Sequence, residues 1–176
     1  SLDLVNGQAS FSNVFGYMGT TLFAFSDILG DHRIFLGTEM VISPENSDYF
    51  FQYDYLRKRT DYSFSFYHTA NFFGSQYQFL RLRHYALVLS LARPFSRFQR
   101  IELGISTHTI NHRLYNLAGY DEYEIGEDIS LKALTYRLNW IYDNSVWGFT
   151  GPGDGFRANL QYFQSLNAYG NKLDFK

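Results

Sequence analysis

The sequence has no cysteine, three prolines among 176 residues, and little excess of either charge. Without cysteine there is neither a disulfide scaffold nor a thiolate metal site. A net charge of −2, from 15 Lys+Arg and 17 Asp+Glu, leaves no overall basic footprint for a nucleic acid. No apolar run approaches the roughly 20 residues that a spanning helix requires, and helical periodicity is nearly absent. What is present is aromatic: 15 Tyr, 18 Phe and 2 Trp. That is too much large apolar surface for a disordered chain. The length suits one domain, 1–176, and no linker or composition break divides it.

Period-two alternation runs through almost the whole chain, and it predicts an all-β protein. Ile34, Leu36, Thr38 and Met40 oppose Arg33, Phe35, Gly37 and Glu39. Leu87, Leu89 and Leu91 oppose Ala86, Val88 and Ser90, and Ile101, Leu103 and Ile105 oppose Arg100, Glu102, Gly104 and Ser106. Leu134, Tyr136, Leu138 and Trp140 oppose Thr135, Arg137 and Asn139, and Leu160 and Tyr162 lie against Asn159 and Gln161. Strands are expected at 8–17, 19–28, 32–42, 48–57, 61–70, 78–92, 98–114, 128–142 and 156–167, with part of another at the end. Short turns fall at Gly30-Asp31, Lys58-Arg59-Thr60 and Arg93–Arg97; longer polar connections are expected at 43–48, 71–77 and 115–127.

The solvent met by the apolar face decides the class of function. Water-facing strands are usually rich in Lys, Glu and Asp, whereas the polar faces here are mostly Ser, Thr, Gly, Asn, Gln and His. Small and amide side chains suit a crowded polar interior. Tyr49, Tyr62, Tyr85, Tyr115, Trp140 and Tyr142 fall near strand ends, where a bilayer interface places amphipathic rings. Strands of about ten residues are long enough to cross when tilted. The expectation is an antiparallel up-and-down transmembrane β-barrel whose apolar face points outward; a soluble β protein is the alternative.

The segments Phe25–His32, Arg93–Glu102, and Tyr142-Asp143-Asn144 followed by Gly151–Arg157 occur in that order along the chain. Together they resemble the bacterial surface-antigen superfamily of outer-membrane assembly factors (BamA/TamA-like), in the branch where a periplasmic β-propeller precedes the barrel. The last segment is similar to the family's Pro-x-x-Gly periplasmic turn, on which Pro152, Gly155 and Arg157 map. The resemblance implies location in the outer membrane of a Gram-negative (diderm) bacterium. It also implies a role in outer-membrane protein insertion, assembly or translocation, with unfolded outer-membrane proteins as substrates. In that family an unstable seam between first and last strands templates incoming strands, and here the seam edge would lie around Gln8–Tyr17. Family barrels have roughly sixteen strands, and the Arg-Gly-Phe/Tyr motif of their second half is absent here. With about 8–10 strands, the chain is therefore expected to be the N-terminal part of a larger barrel, completed by a missing half or a second copy; a small closed barrel is the alternative, since eight strands suffice for one. A passive anchor or pore is the alternative role, and an outer-membrane lipid hydrolase using Ser90 and His84 a third.

Inward positions carry Arg33, Glu39, Asp54, Arg100, Glu102, Arg137 and Arg157, read as a salt-bridged polar lumen. Arg100, Glu102 and Arg137 are the best candidates for ionic contacts between neighbouring strands. Arg81, Arg83 and Arg113 would lie toward the external rim, within reach of lipopolysaccharide phosphates. His108 and His112 share a spacing that chelates a metal on a helix, but on a strand it separates them by about 13 Å. Neither a metal nor a cofactor is expected, nor enzymatic activity.

Overall fold

The computed structural model describes residues 1–12, 16–40, 44–74, 78–118, 121–148 and 151–167. Eight strands follow one another: β1 Leu2–Ser12, β2 Gly16–Ser26, β3 His32–Met40, β4 Asp48–Tyr55, β5 Asp61–Gly74, β6 Gln78–Pro94, β7 Gln99–Ala118 and β8 Asp121–Asp143. A short hairpin, β9 Val146–Gly148 and β10 Gly151–Asp154, precedes β11 Arg157–Asn167. A single 3-10 turn, Pro44–Asn46, precedes β4.

The main sheet is an antiparallel meander of nine strands, in the order β1-β2-β3-β4-β5-β6-β7-β8-β11, with β1 and β11 at its edges. The all-β expectation holds; the count of eight strands before Pro152 is met by the main sheet alone, since the short β9 adds a ninth ahead of it. Several boundaries are corrected. The first strand is Leu2–Ser12 and not 8–17, so Gly16 and Tyr17 belong to β2 and the edge strand begins further upstream. The polar stretch 115–127 is mostly strand, because the two sides of the β7–β8 hairpin satisfy each other's backbone groups up to Ala118 and Asp121. Likewise β5 runs on to Gly74. The expected final strand falls after Asn167, outside the described residues.

The short turns gather at one end of the sheet, hereafter the turn end. Gly30 takes a positive φ of 73° there, and its N–H donates to Asp27 O at 3.1 Å to close β2 onto β3. Arg59, in the β4–β5 turn, reaches the next turn, donating from Nε to Pro94 O at 3.1 Å and from Nη2 to Phe95 O at 2.7 Å. The opposite, loop end carries the extended hairpins β5–β6 and β7–β8.

The two faces are packed differently. Ala24, Ala86, Asp54 and Asn139 are buried, and all four stand on the polar face. On the other face, Leu87, Leu89, Leu103, Ile105, Tyr136, Leu138, Trp140, Leu160 and Tyr162 are exposed, Leu89 and Leu103 each to 47%. The face that would form the core of a soluble sandwich is the uncovered one.

Candidate functional site

The polar face carries several hydrogen-bonded groups, and all seven charged residues expected to face inward share it. Register places Arg33 opposite Asp54, Asn139 opposite Glu102, Arg137 opposite Gly104 and Arg157 opposite Asp143. Asp54 accepts from Gln52 Nε2 at 2.9 Å and from Ser63 Oγ at 2.6 Å. Arg100 Nε meets Glu102 Oε1 at 2.8 Å, and Asn139 Nδ2 donates to Glu102 Oε2 at 3.1 Å. The expected cross-strand ionic contact is thus corrected in part. The arginine pairs along its own strand, because residues two apart on a strand point the same way. A neutral amide makes the cross-strand link, and Arg137 is accommodated over Gly104. Glu39 is exposed opposite Asp48.

At the turn end Arg157 Nε lies 3.4 Å from Asp143 Oδ2. Gly155 has a φ of 100°, and a Cβ there would lie 2.5 Å from Asn144 O. Phe156 N–H donates to Asn144 Oδ1 at 2.6 Å. The Pro-x-x-Gly turn therefore has a local reason for its glycine; Pro152 itself lies in β10. The hydroxyl and N–H of Ser145 hold the Asp143 carboxyl below the usual carboxylate range, and the His32 N–H does the same for Asp27 in the β2–β3 turn.

A cluster that the sequence reading missed stands midway along the polar face. His84 Nε2 lies 3.1 Å from His108 Nδ1, and His108 Nε2 lies 2.8 Å from Ser106 Oγ. The Tyr67 ring meets His84 edge-on with centroids 5.2 Å apart. His108 is thus linked to the neighbouring strand rather than to His112. Ser90 and His84, considered as a nucleophile and base, sit six residues apart on one strand, about 20 Å, so they form no dyad. The signal that could have found His84 and His108 is hairpin register: pairing Pro94 with Arg100 sets His84 opposite Ile110, diagonal to His108.

On the exposed face, two aromatic rows bracket an apolar belt. Toward the turn end, His32, Tyr55 and Tyr62 lie side by side, with centroids 5.0 and 6.3 Å apart, while Trp140, Tyr142 and Phe156 form a second ladder at 6.3 and 6.0 Å. Toward the loop end, Tyr49, His68 and Tyr85 stack across three strands at 5.9 and 4.4 Å. His68 is buried there, its Nδ1 2.8 Å from Ser47 O. Between the rows, Ile34, Leu36, Phe51, Phe64, Phe66, Leu87 and Leu89 cover about 20 Å of strand. An apolar hollow of about 720 Å³, with Leu89, Leu103 and Tyr136 in its lining, opens on this face. Beyond the loop-end row, the same face carries Arg83, then Arg81 directly opposite Arg113. Compared with protein-family models, curated proteins and solved structures, the chain matches none of them.

Proposed function

We propose that this sheet is a membrane-spanning wall of an outer-membrane β-barrel of the surface-antigen type, with the apolar face toward lipid and the polar face toward the lumen. The observation that carries the reading is the exposure of Leu87, Leu89, Leu103, Ile105 and Leu138 at the centre of a large sheet, while the polar face holds Ala86, Asp54 and Asn139 buried. In water such a belt is an aggregation surface; in lipid it is the solvated side, and flanking aromatic rows match the two interfaces. An open sheet edge in hydrocarbon leaves N–H and C=O groups unsatisfied, so β1 and β11 would pair with further strands, from a missing half or a second copy. The resemblance of the turn segments adds the role: insertion, assembly or translocation of outer-membrane proteins in a diderm bacterium.

Paired charge substitutions test the orientation. Leu89→Arg should reduce insertion into phospholipid vesicles, by about 2–4 kcal/mol at the midplane, while the adjacent Ser90→Arg should be tolerated. Equal effects of the two, or a monodisperse wild-type chain in detergent-free buffer, would overturn the membrane reading. Strand-insertion activity in reconstituted vesicles tests the assembly role; ion conductance without it would favour a passive pore.

A further inference from the structure

The two faces of the sheet exchange character beyond the loop-end row of Tyr49, His68 and Tyr85. On the belt side, Leu87, Ile105 and Tyr136 give way to Arg83 on β6, Asn111 on β7, and Lys132 and Ser130 on β8. On the other side, Ser106, His108 and Thr135 give way to Ile110 and Leu114 on β7 and to Leu131 and Ile129 on β8. Register joins the apolar positions into one patch: Phe73 stands opposite Leu80, Leu80 opposite Leu114, and Ile110 opposite Leu131. Phe73 is 58% exposed and Ile129 55%, so nothing among the described residues covers the patch.

An open edge lies beside it. β8 pairs with β7 as far as Asp121, but with β11 only as far as Ala133, which stands opposite Asn167. Among the described residues, β8 from Asp121 to Lys132 therefore presents unpaired backbone groups on its β11 side, and such an edge accepts a further strand.

We propose that the segment Ala168–Lys176 continues β11 along this edge and covers the apolar patch with Tyr169, Leu173 and Phe175. Position and length point to this occupant: the segment follows Asn167 directly, at the loop end, and when extended it spans about 30 Å. Continuing the register from Asn167 opposite Ala133 sets Tyr169 opposite Leu131 and Asn171 opposite Ile129. Both pairs precede the irregularity that separates Ile129 from Ile125 on β8.

The residue pattern agrees. Counting on by twos from Asn167 puts Tyr169, Asn171, Leu173 and Phe175 on the side of the patch. Gly170, Lys172, Asp174 and Lys176 then fall on the belt side, level with Lys132 and Ser130 and beyond. Lower on the same strand the arrangement is the reverse, with Leu160 and Tyr162 on the belt side and Asn159 and Gln161 on the other. The exchange of faces thus falls at the same height on β11 as on β8. The docking concerns the side opposite the belt, so it does not require the belt to meet lipid.

The natural sequence has no cysteine, so introduced thiols report alone. In the full chain folded in detergent micelles, mild oxidation should close L131C/Y169C within one chain at least about tenfold more completely than S130C/Y169C. Opposed residues on one face lie within bridging distance, whereas residues on opposite faces diverge. In a second measurement, L131C should react with a water-soluble maleimide at least about tenfold more slowly in the wild-type background than in L173S/F175S, because thiol reaction follows access. K132C, on the belt side, should react equally in both backgrounds and so reports an intact sheet. Equal closure of the two cysteine pairs, or labelling of L131C that ignores L173S/F175S, overturns the proposal. A disulfide that joins two chains would assign the edge to a second copy and overturns it as well.

Discussion

Arg137 on β8 lies directly across from Gly104 on β7, and its side chain occupies the space where a residue at 104 would project. A Cβ at 104 would come within 3.4 Å of Arg137 Nε and 3.6 Å of its Cβ. The arginine is flexible enough to shift for a methyl group but not for a branched chain. Gly104→Leu should therefore cost about 1–3 kcal/mol in unfolding free energy. Adding Arg137→Ala should restore most of it, since the two substitutions contend for one volume. Denaturant unfolding of the four chains measures this, and strictly additive losses would show that the residues do not compete.

Gly155 presents a stricter case. Its φ of 100° disfavours any L side chain, and the nearest obstruction is the Asn144 backbone, which cannot rotate aside as an arginine can. Gly155→Ala should destabilise by about 1–3 kcal/mol and by more than Gly104→Ala. A comparison of the two alanine variants by thermal or urea unfolding decides the order.

The contacts among Ser106, His108 and His84 should behave as one unit. Removing His108 takes away both hydrogen bonds, so His84→Ala on that background should cost less than it does alone. A double-mutant cycle should return a coupling of about 0.5–3 kcal/mol. A coupling near zero would mean that the imidazoles are neighbours without interacting.

Asp27 gives an acid-side prediction. Its Oδ1 accepts the His32 N–H at 3.1 Å, which lowers its pKa from the ordinary 3.8. A carboxylate whose folded pKa is depressed contributes stability above its unfolded pKa and loses that contribution as pH falls through the folded value. Stability of Asp27→Asn should therefore fall less steeply than wild type below about pH 4. Parallel acid limbs in unfolding curves of the two chains would sink this assignment.

Much of this architecture is legible residue by residue, because side-chain direction on a strand is a local property. Counting by twos puts Arg33, Glu39, Asp54, Arg100, Glu102, Arg137 and Arg157 on one face and Leu89, Leu103 and Leu138 on the other, with no knowledge of which strands are neighbours. Turn chemistry is local as well, as Gly30 and Gly155 show by their positive φ values.

Partners are not local. That Glu102 meets Asn139, or His84 meets His108, depends on pairing register, which joins residues far apart in sequence. Nor did composition reveal that the polar stretch 115–127 continues as strand: its alternation is weak, and it is held by ladder hydrogen bonds between β7 and β8. The sequence by itself determined the strand rhythm, the two unlike faces and the glycine turns, since each arises within a few consecutive residues. Only the tertiary structure decided that β1 begins at Leu2, that Glu102 meets Asn139, and that Arg81 faces Arg113, because backbone pairing fixes these relations between strands and is indifferent to most side chains.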